Sequence, residues 1–236
     1  VRTLFTFASP PAACSYLPGR AASQRYEVVA SLSAAEYADR LLAGWRRFGH
    51  SLFRPDCPSC TACQSLRVDA ARFRPRDTQK RVAKLNADLE LTVGPPAVAA
   101  EKLDLYDRFH AAQADRVGWP DHGGKSAADY HDSFVDNPFP AEEWCYRLNG
   151  RLVGVGYVDR LAVGLSAVYF FHEPGERRRS LGVFNVLSVV RATAAAGLAH
   201  AYLGYYVEGC RSLEYKAKYR PNEVVGPDGV WRPFLA

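Results

Sequence analysis

Methionine is absent from this 236-residue chain, an absence that points to no function. No apolar run reaches the roughly 18 residues that a membrane-crossing helix requires, so a spanning segment is not expected. The first twenty residues hold Pro10, Pro11 and Pro18 and lack the apolar core of a secretory leader, so the expected compartment is the cytoplasm. Cysteine is sparse: there are six, and three of them fall in the short run CPSCTAC. In a reducing compartment that clustering favours a metal over disulfides. What remains is 48% hydrophobic and 23% charged, the balance of an ordinary globular chain of one or two domains with enough length for a real core.

The net charge of +5 is modest but unevenly placed. Between Arg40 and Lys84 lie eleven basic residues and three acids, a surplus of eight. Such a basic block beside a cysteine cluster is the footprint of a nucleic-acid partner. The plainer alternative is a solvated basic helix face.

Ser33-Ala-Ala-Glu36 has the form of a capping box, and Tyr37, Leu41, Leu42 and Trp45 follow at helical spacing. The pattern predicts a helix ending near Gly49 with Arg46 and Arg47 in its last turn, where the dipole favours cations. DTQKRVAKLNADL, from Asp77, reads as a basic helix whose Lys80, Arg81 and Lys84 are candidates to meet phosphates. VGPPAVAA then breaks the chain and sets an expected boundary between residues 1–95 and 96–236. A helix from Glu101 to Asp115 carries His110, expected as a core or surface histidine. The loop GWPDHGGK leads from it to a short helix. From Glu143 strands are expected: WCYRL, the turn Asn149-Gly150, and RLVGVGYVDRL form a hairpin. GLSAVYFFHEP adds a third strand, followed by GERRRSLG, the helix VFNVLSVVRATAAAGLA and the strand HAYLGYYV.

Cys57, Cys60 and Cys63 are spaced CxxCxxC, which lets thiolates turn inward on one ion. Three need a fourth ligand, and Cys14 is the natural candidate. Soft thiolates select zinc or an iron–sulfur cluster, and spacing does not choose between them. Cys145 and Cys210 are isolated and expected to be buried as small apolar residues.

The unit YFFHEP, GERRRSLG, VFNVLSVV is strand, basic turn, helix. A helix start exposes unpaired N–H groups, and Arg177, Arg178, Arg179, Ser180 and Gly182 would make it a seat for a phosphate. An antiparallel meander followed by a phosphate-binding helix and another strand is similar to the GNAT acyltransferase order. The expected fold class is therefore α/β (α+β). It joins a C-terminal GNAT-like domain to an N-terminal α-rich, Cys-cluster region.

Together, CSYLP at Cys14, FRPDCPSCTAC, RFRPRDTQKR, DRLAVGLSAVYFFHEPGERRRSLGVFNVL and YLGYYVEGCRSLEYKAKYRPNE resemble the aminoacyl-tRNA–protein transferases. The look is closest to the bacterial branch, the aspartate/glutamate leucyltransferases, whose eukaryotic relatives are arginyltransferases. The resemblance implies a charged tRNA donor, with the ERRRSLG turn holding the phosphates of its 3′ end. It implies acceptor proteins with an N-terminal Asp or Glu. Arg54, Lys216, Lys218 and Arg220 are the candidates to grip that acidic side chain. Glu208 is placed to take the ammonium proton, directly or through water. Tyr205, Tyr206 or Tyr215 would serve the leaving ribose oxygen or the oxyanion, with core packing as the plainer role. No CoA and no membrane are expected. The alternatives are the same reaction with arginine, an acetyl-CoA-dependent N-acetyltransferase, or a non-catalytic metal-dependent RNA-binding module.

Overall fold

The computed structural model describes residues 1–120 and 123–234. In chain order it contains β1 (Arg2–Ala8), β2 (Ala12–Ala13), β3 (Ala21–Ala22), β4 (Gln24–Ser31), α1 (Ala34–Leu42), β5 (Arg46–Phe48), β6 (Ser51–Pro55) and β7 (Gln64–Asp69). There follow α2 (Asp77–Leu85), β8 (Glu90–Gly94), α3 (Ala100–Val117), α4 (Ala127–Tyr130), β9 (Ala141–Leu148), β10 (Arg151–Leu161) and β11 (Gly164–His172). The chain closes with α5 (Leu181–Ala195), β12 (His200–Tyr206), α6 (Arg211–Glu214), β13 (Asn222–Val225) and β14 (Trp231–Pro233). Two short 3₁₀ turns, Pro174–Arg179 and Tyr215–Lys218, matter below.

The hairpin forms as its turn residues dictate. Asn149 and Gly150 both take positive φ, 49° and 80°, the twist that lets β9 and β10 pair tightly. β11 extends the meander antiparallel to β10. The resulting eight-stranded sheet has the order β14-β13-β7-β12-β11-β10-β9-β8. A second, four-stranded sheet has the order β1-β4-β6-β5. Strands β7 and β8 come from the first 95 residues yet belong to the large sheet, so the large sheet draws on both sides of the expected boundary.

Among the described residues only β11 and β12 are parallel neighbours, joined by the crossover helix α5. They pair over Gly164–Ser166 and His200–Tyr202 and then part. Gly164, at φ 144°, permits the close approach, since a Cβ there would lie 1.8 Å from the His200 carbonyl oxygen. Both strands carry an extra residue where they separate: Val168 is unmatched on β10, and Leu203 is unmatched on β7. Such bulges re-aim side chains and are common beside functional sites.

Alternation of side chains then divides the core. Val153, Val158, Leu165, Leu203 and Tyr206 meet α5 on one face. Leu152, Val155, Tyr157 and Phe171 meet α3 on the other. The small sheet and α1 pack through Val29, Tyr37, Leu41 and Leu52 against Leu161 and Tyr202.

The capping box at Ser33 and Glu36 forms as expected. The helix it starts is shorter than expected. α1 ends at Leu42, Gly44 turns the chain at φ 82°, and Arg46 and Arg47 lie on β5. Neither arginine caps a helix; both are buried against the large sheet. The gain is specific, because Arg47 meets Asp159 of β10 in a bidentate ion pair that a helix end would not reach. Asp121 and His122 of the expected loop lie outside the described residues. Among the described residues no helix is long and apolar enough to cross a membrane.

Candidate active site

The parting of β11 and β12 brings together groups far apart in sequence. Arg46 reaches in from β5 and donates from Nη2 to the Ala167 carbonyl oxygen, just past the last paired position. Its guanidinium also lies against Gly204, whose Cβ position would be 3.6 Å from Nε. Arg46 thus occupies the space between the two strands. Lys216, on the turn Tyr215–Lys218, donates from Nζ to the Tyr205 carbonyl oxygen at 2.6 Å. Lys216 is 8% exposed. Burial, and then the nearby Arg46 charge, pull its ammonium down to about 7, while Cys210 acts weakly the other way. Tyr205 donates its hydroxyl to the carbonyl oxygens of Gly44 and Phe53, so it ties the site to the small sheet. Burial raises its pKa.

The thiols adjoin this split. Burial, then Cys57, Cys14 and Cys60, and then Cys210, push the Cys63 thiol up to about 12. Four cysteines from two separate loops therefore share one small volume, as does Tyr16, raised by burial and then by Cys63, Cys210 and Cys14. Backbone N–H groups of Tyr16 and Leu17 donate to Cys14 Sγ, and that of Ser23 to Cys57 Sγ. Amides aimed at sulfur are contacts that suit a metal-thiolate set. Among the described residues, no three side chains of His, Cys, Asp or Glu converge to metal-holding geometry. The donor chemistry fits a thiophilic metal, and the geometry as it stands does not yet close around one. Cys145 and Cys210 are buried as expected, but Cys210 is a neighbour of Cys63, not isolated.

The basic turn lies at the same edge of the sheet, because it leaves the C-terminal end of β11 as the 208–218 segment leaves that of β12. Arg177 and Arg178 are exposed, and among the described residues neither side chain has a hydrogen bond or ion pair. Arg179 differs. It pairs with Asp88 through both nitrogens at 2.8 and 2.9 Å and donates to the Leu85 carbonyl. Ser180 takes φ 52° and begins α5 without a side-chain cap, and the space outside Gly182 is open. The amides at that helix start remain available to an anion.

Helix α2 joins the two turns. Gln79, near its start, donates to the Lys218 carbonyl oxygen, and Asn86, at its end, donates to that of Arg179. Arg81 and Lys84 are exposed on it, while Lys80 is engaged with Asp77. A basic helix thus runs from the lysine turn to the arginine turn.

The remaining candidates scatter. Arg54 lies over the Trp45 ring at 5.1 Å on β6. Lys218 and Arg220 are exposed beyond Lys216, and Tyr215 is 36% exposed. Glu208 is exposed in the turn after β12, next to Tyr206, which faces the α5 core and Phe234. It is not among the buried groups of the split. Arg46 was not anticipated, because helical spacing carried the expected helix through it. The signal available was Gly44, a residue that ends helices.

An anion seat on one side of a strand split, buried cations on the other and a basic helix between them describe a group-transfer enzyme with a polyanionic substrate. Residues 12–81 match the family model described as Arginine-tRNA-protein transferase, N terminus, and residues 101–226 match that described as Arginine-tRNA-protein transferase, C terminus. The chain belongs to this family and is an aminoacyltransferase whose donors are aminoacyl-tRNAs and whose acceptors are proteins. It is 40% identical over 225 residues to an aspartate/glutamate leucyltransferase of Pseudomonas putida (strain W619), covering 93% of this chain and 92% of that one. To a Pseudomonas fluorescens (strain Pf0-1) protein of the same name it is 37% identical over 222 residues, with the same coverage. Among solved structures, the C-terminal DUF2156 domain from Agrobacterium fabrum superimposes with a TM-score of 0.49 at 16% identity, covering 83% of this chain and 62% of that one.

Proposed function

We propose that this enzyme transfers leucine from leucyl-tRNA to the N-terminal Asp or Glu of acceptor proteins, marking them for degradation. The observation that carries this reading is the 40% identity, over nearly the full length of both chains, to a protein named for that reaction. The site supports it. Arg177, Arg178 and the start of α5 offer donors for the phosphates of the tRNA 3′ end, and Arg81 and Lys84 extend that surface. The acceptor's terminal amine attacks the ester carbonyl; a C–N bond forms, the bond to the ribose oxygen breaks, and that oxygen takes a proton. The ester is already activated, so holding amine and carbonyl together supplies most of the rate. Glu208, at the exposed end of β12, is the candidate to receive the ammonium proton through water. Arg46 already fills the gap between Ala167 and Gly204, which favours a donor that presents its ester at the mouth over one threaded between the strands.

Cys14, Cys57, Cys60 and Cys63 would hold zinc or an iron–sulfur cluster in this reading. Such a group, when bound, would brace the loops around Tyr16 against the split.

The test is direct. Purified protein is given an Asp-starting peptide with either leucyl-tRNA or arginyl-tRNA, and the product mass is read. Addition of leucine is expected. Addition of arginine alone, or of neither amino acid, would overturn the reading.

A further inference from the structure

Among the described residues four lysine and arginine side chains are buried: Arg46, Arg47, Lys102 and Lys216. Two of them have acids. Arg47 pairs with Asp159, and Lys102 with Glu143. Arg46 and Lys216 do not. Among the described residues each is bonded to one backbone carbonyl oxygen, of Ala167 and of Tyr205, and neither meets a carboxylate. They engage adjacent residues of β12: the Arg46 guanidinium lies 3.6 Å from the Cβ position of Gly204, and Lys216 Nζ bonds the Tyr205 carbonyl oxygen at 2.6 Å. Arg46 Nη1 is buried and makes no hydrogen bond. Two mutually repelling cations out of water, with no anion, form a costly arrangement that an anionic ligand would relieve.

Nearby hydroxyls point the same way. Ser166 and Ser65 are buried, and neither Oγ has a partner. Ser166 pairs across the sheet with Tyr202, and Ser65 with Tyr205, so both lie on the face that the small sheet covers. Arg46 approaches from that same sheet. Helix α5 lies on the opposite face, and the arginine turn leads into its start. A donor seated on the arginine turn would therefore reach the split from one side, and the Arg46 side is left to the acceptor.

We infer that Arg46 and Lys216 form the pocket that reads the acidic side chain of the acceptor's first residue, with Arg46 as the specificity-determining group. This rests on the function proposed above and assigns its acceptor selectivity. A carboxylate between them would complete both cations, and a guanidinium offers it two parallel N–H donors. Asn or Gln at that position would leave the cations uncompensated and would be rejected for that reason. The carboxylate would enter beside the short turn carrying Lys216, whose neighbour Tyr215 is exposed.

The experiment compares acceptor peptides that differ only in a first residue of Asp, Glu, Asn or Gln, using whichever charged tRNA the wild-type enzyme accepts. Wild type should favour Asp over Asn. Arg46→Gln and Lys216→Met should lower kcat/KM for the Asp peptide by roughly 10- to 100-fold and lower it less for the Asn peptide. The Asp-to-Asn ratio then falls toward one. Affinity for tRNA, measured by filter binding, should stay within about twofold of wild type. An intact ratio in the variants overturns the inference, and so does a matching loss of tRNA affinity, which would assign the cations to a donor phosphate. If Arg46→Gln does not fold, as judged by circular dichroism, the ratio in Lys216→Met decides. A wild type that transfers from neither tRNA sinks the proposed function and this inference together. One that transfers while its variants keep their selectivity sinks the inference alone.

Discussion

Arg47 and Asp159 form a fully buried two-pronged ion pair, Nη2 to Oδ1 at 2.6 Å and Nε to Oδ2 at 3.0 Å. Tyr37 donates its hydroxyl to the same carboxylate at 2.6 Å. The pair ties β5 of the small sheet to β10 of the large one, and Arg47 Nη1 reaches on to Asn137 and the Gly49 carbonyl. It holds the small sheet where the adjacent residue, Arg46, enters the split.

Asp159→Ala should therefore destabilise the protein by about 3–5 kcal/mol, the usual effect of stranding a buried charge. Urea denaturation checks this. A loss below about 1 kcal/mol would mean that the small sheet is held mainly by its apolar contacts.

Lys216 makes stability depend on pH in a defined direction. Its folded value is near 7, while an unfolded lysine titrates near 10.4. Between those values the unfolded chain binds more protons than the folded one, so stability rises with pH across that window. Below about pH 7 both states are protonated, and the destabilisation is present in full. The rise should be at most about 1.4 kcal/mol per pH unit. Denaturation at pH 7 and pH 9 should show it in wild type, and Lys216→Met should lack this component. Equal pH slopes in the two proteins would contradict the assignment.

The thiol cluster predicts a metal content. Protein purified without oxygen should contain zinc by elemental analysis or show the visible absorption of an iron–sulfur cluster. Cys57→Ser and Cys63→Ser should each lose it and melt at a lower temperature, because the loops carrying Cys14 and Cys57–Cys63 would no longer be joined. Unchanged metal content in both variants would remove these residues from the ligand set.

The three arginines of the basic turn should separate by role. Arg177→Ala and Arg178→Ala should weaken tRNA binding and each reduce the slope of log affinity against log salt by about 1. Arg179→Ala should act mainly on stability, since Arg179 is engaged with Asp88 and the Leu85 carbonyl. Identical salt slopes in the first two variants and wild type would place the tRNA elsewhere.

Much of this protein is written locally, and local signals were readable. Ser33 and Glu36 cap a helix because they are three residues apart, Asn149-Gly150 turns a hairpin because both accept positive φ, and the arginines of ERRRSLG precede a helix whose first amides are unpaired. The tight spacing of Cys57, Cys60 and Cys63 was equally plain in the sequence, and Cys14 was expected to join them; among the described residues no three such side chains reach metal-holding geometry.

What spacing could not decide was which distant strands would meet. Arg46 looked like the end of a helix because its neighbours kept helical period. Its place opposite Ala167 is set by the packing of β5 against β11, 121 residues apart in sequence. The nearness of Lys216 to Arg46, and of Cys210 to Cys63, depends likewise on where β11 and β12 part. A one-residue bulge in each strand sets that point, and a bulge is an outcome of register between strands. The helix cap, the hairpin turn and the basic turn therefore follow from the sequence itself. The two cations at the split, which among the described residues meet no carboxylate, exist there only because tertiary packing carried them to it.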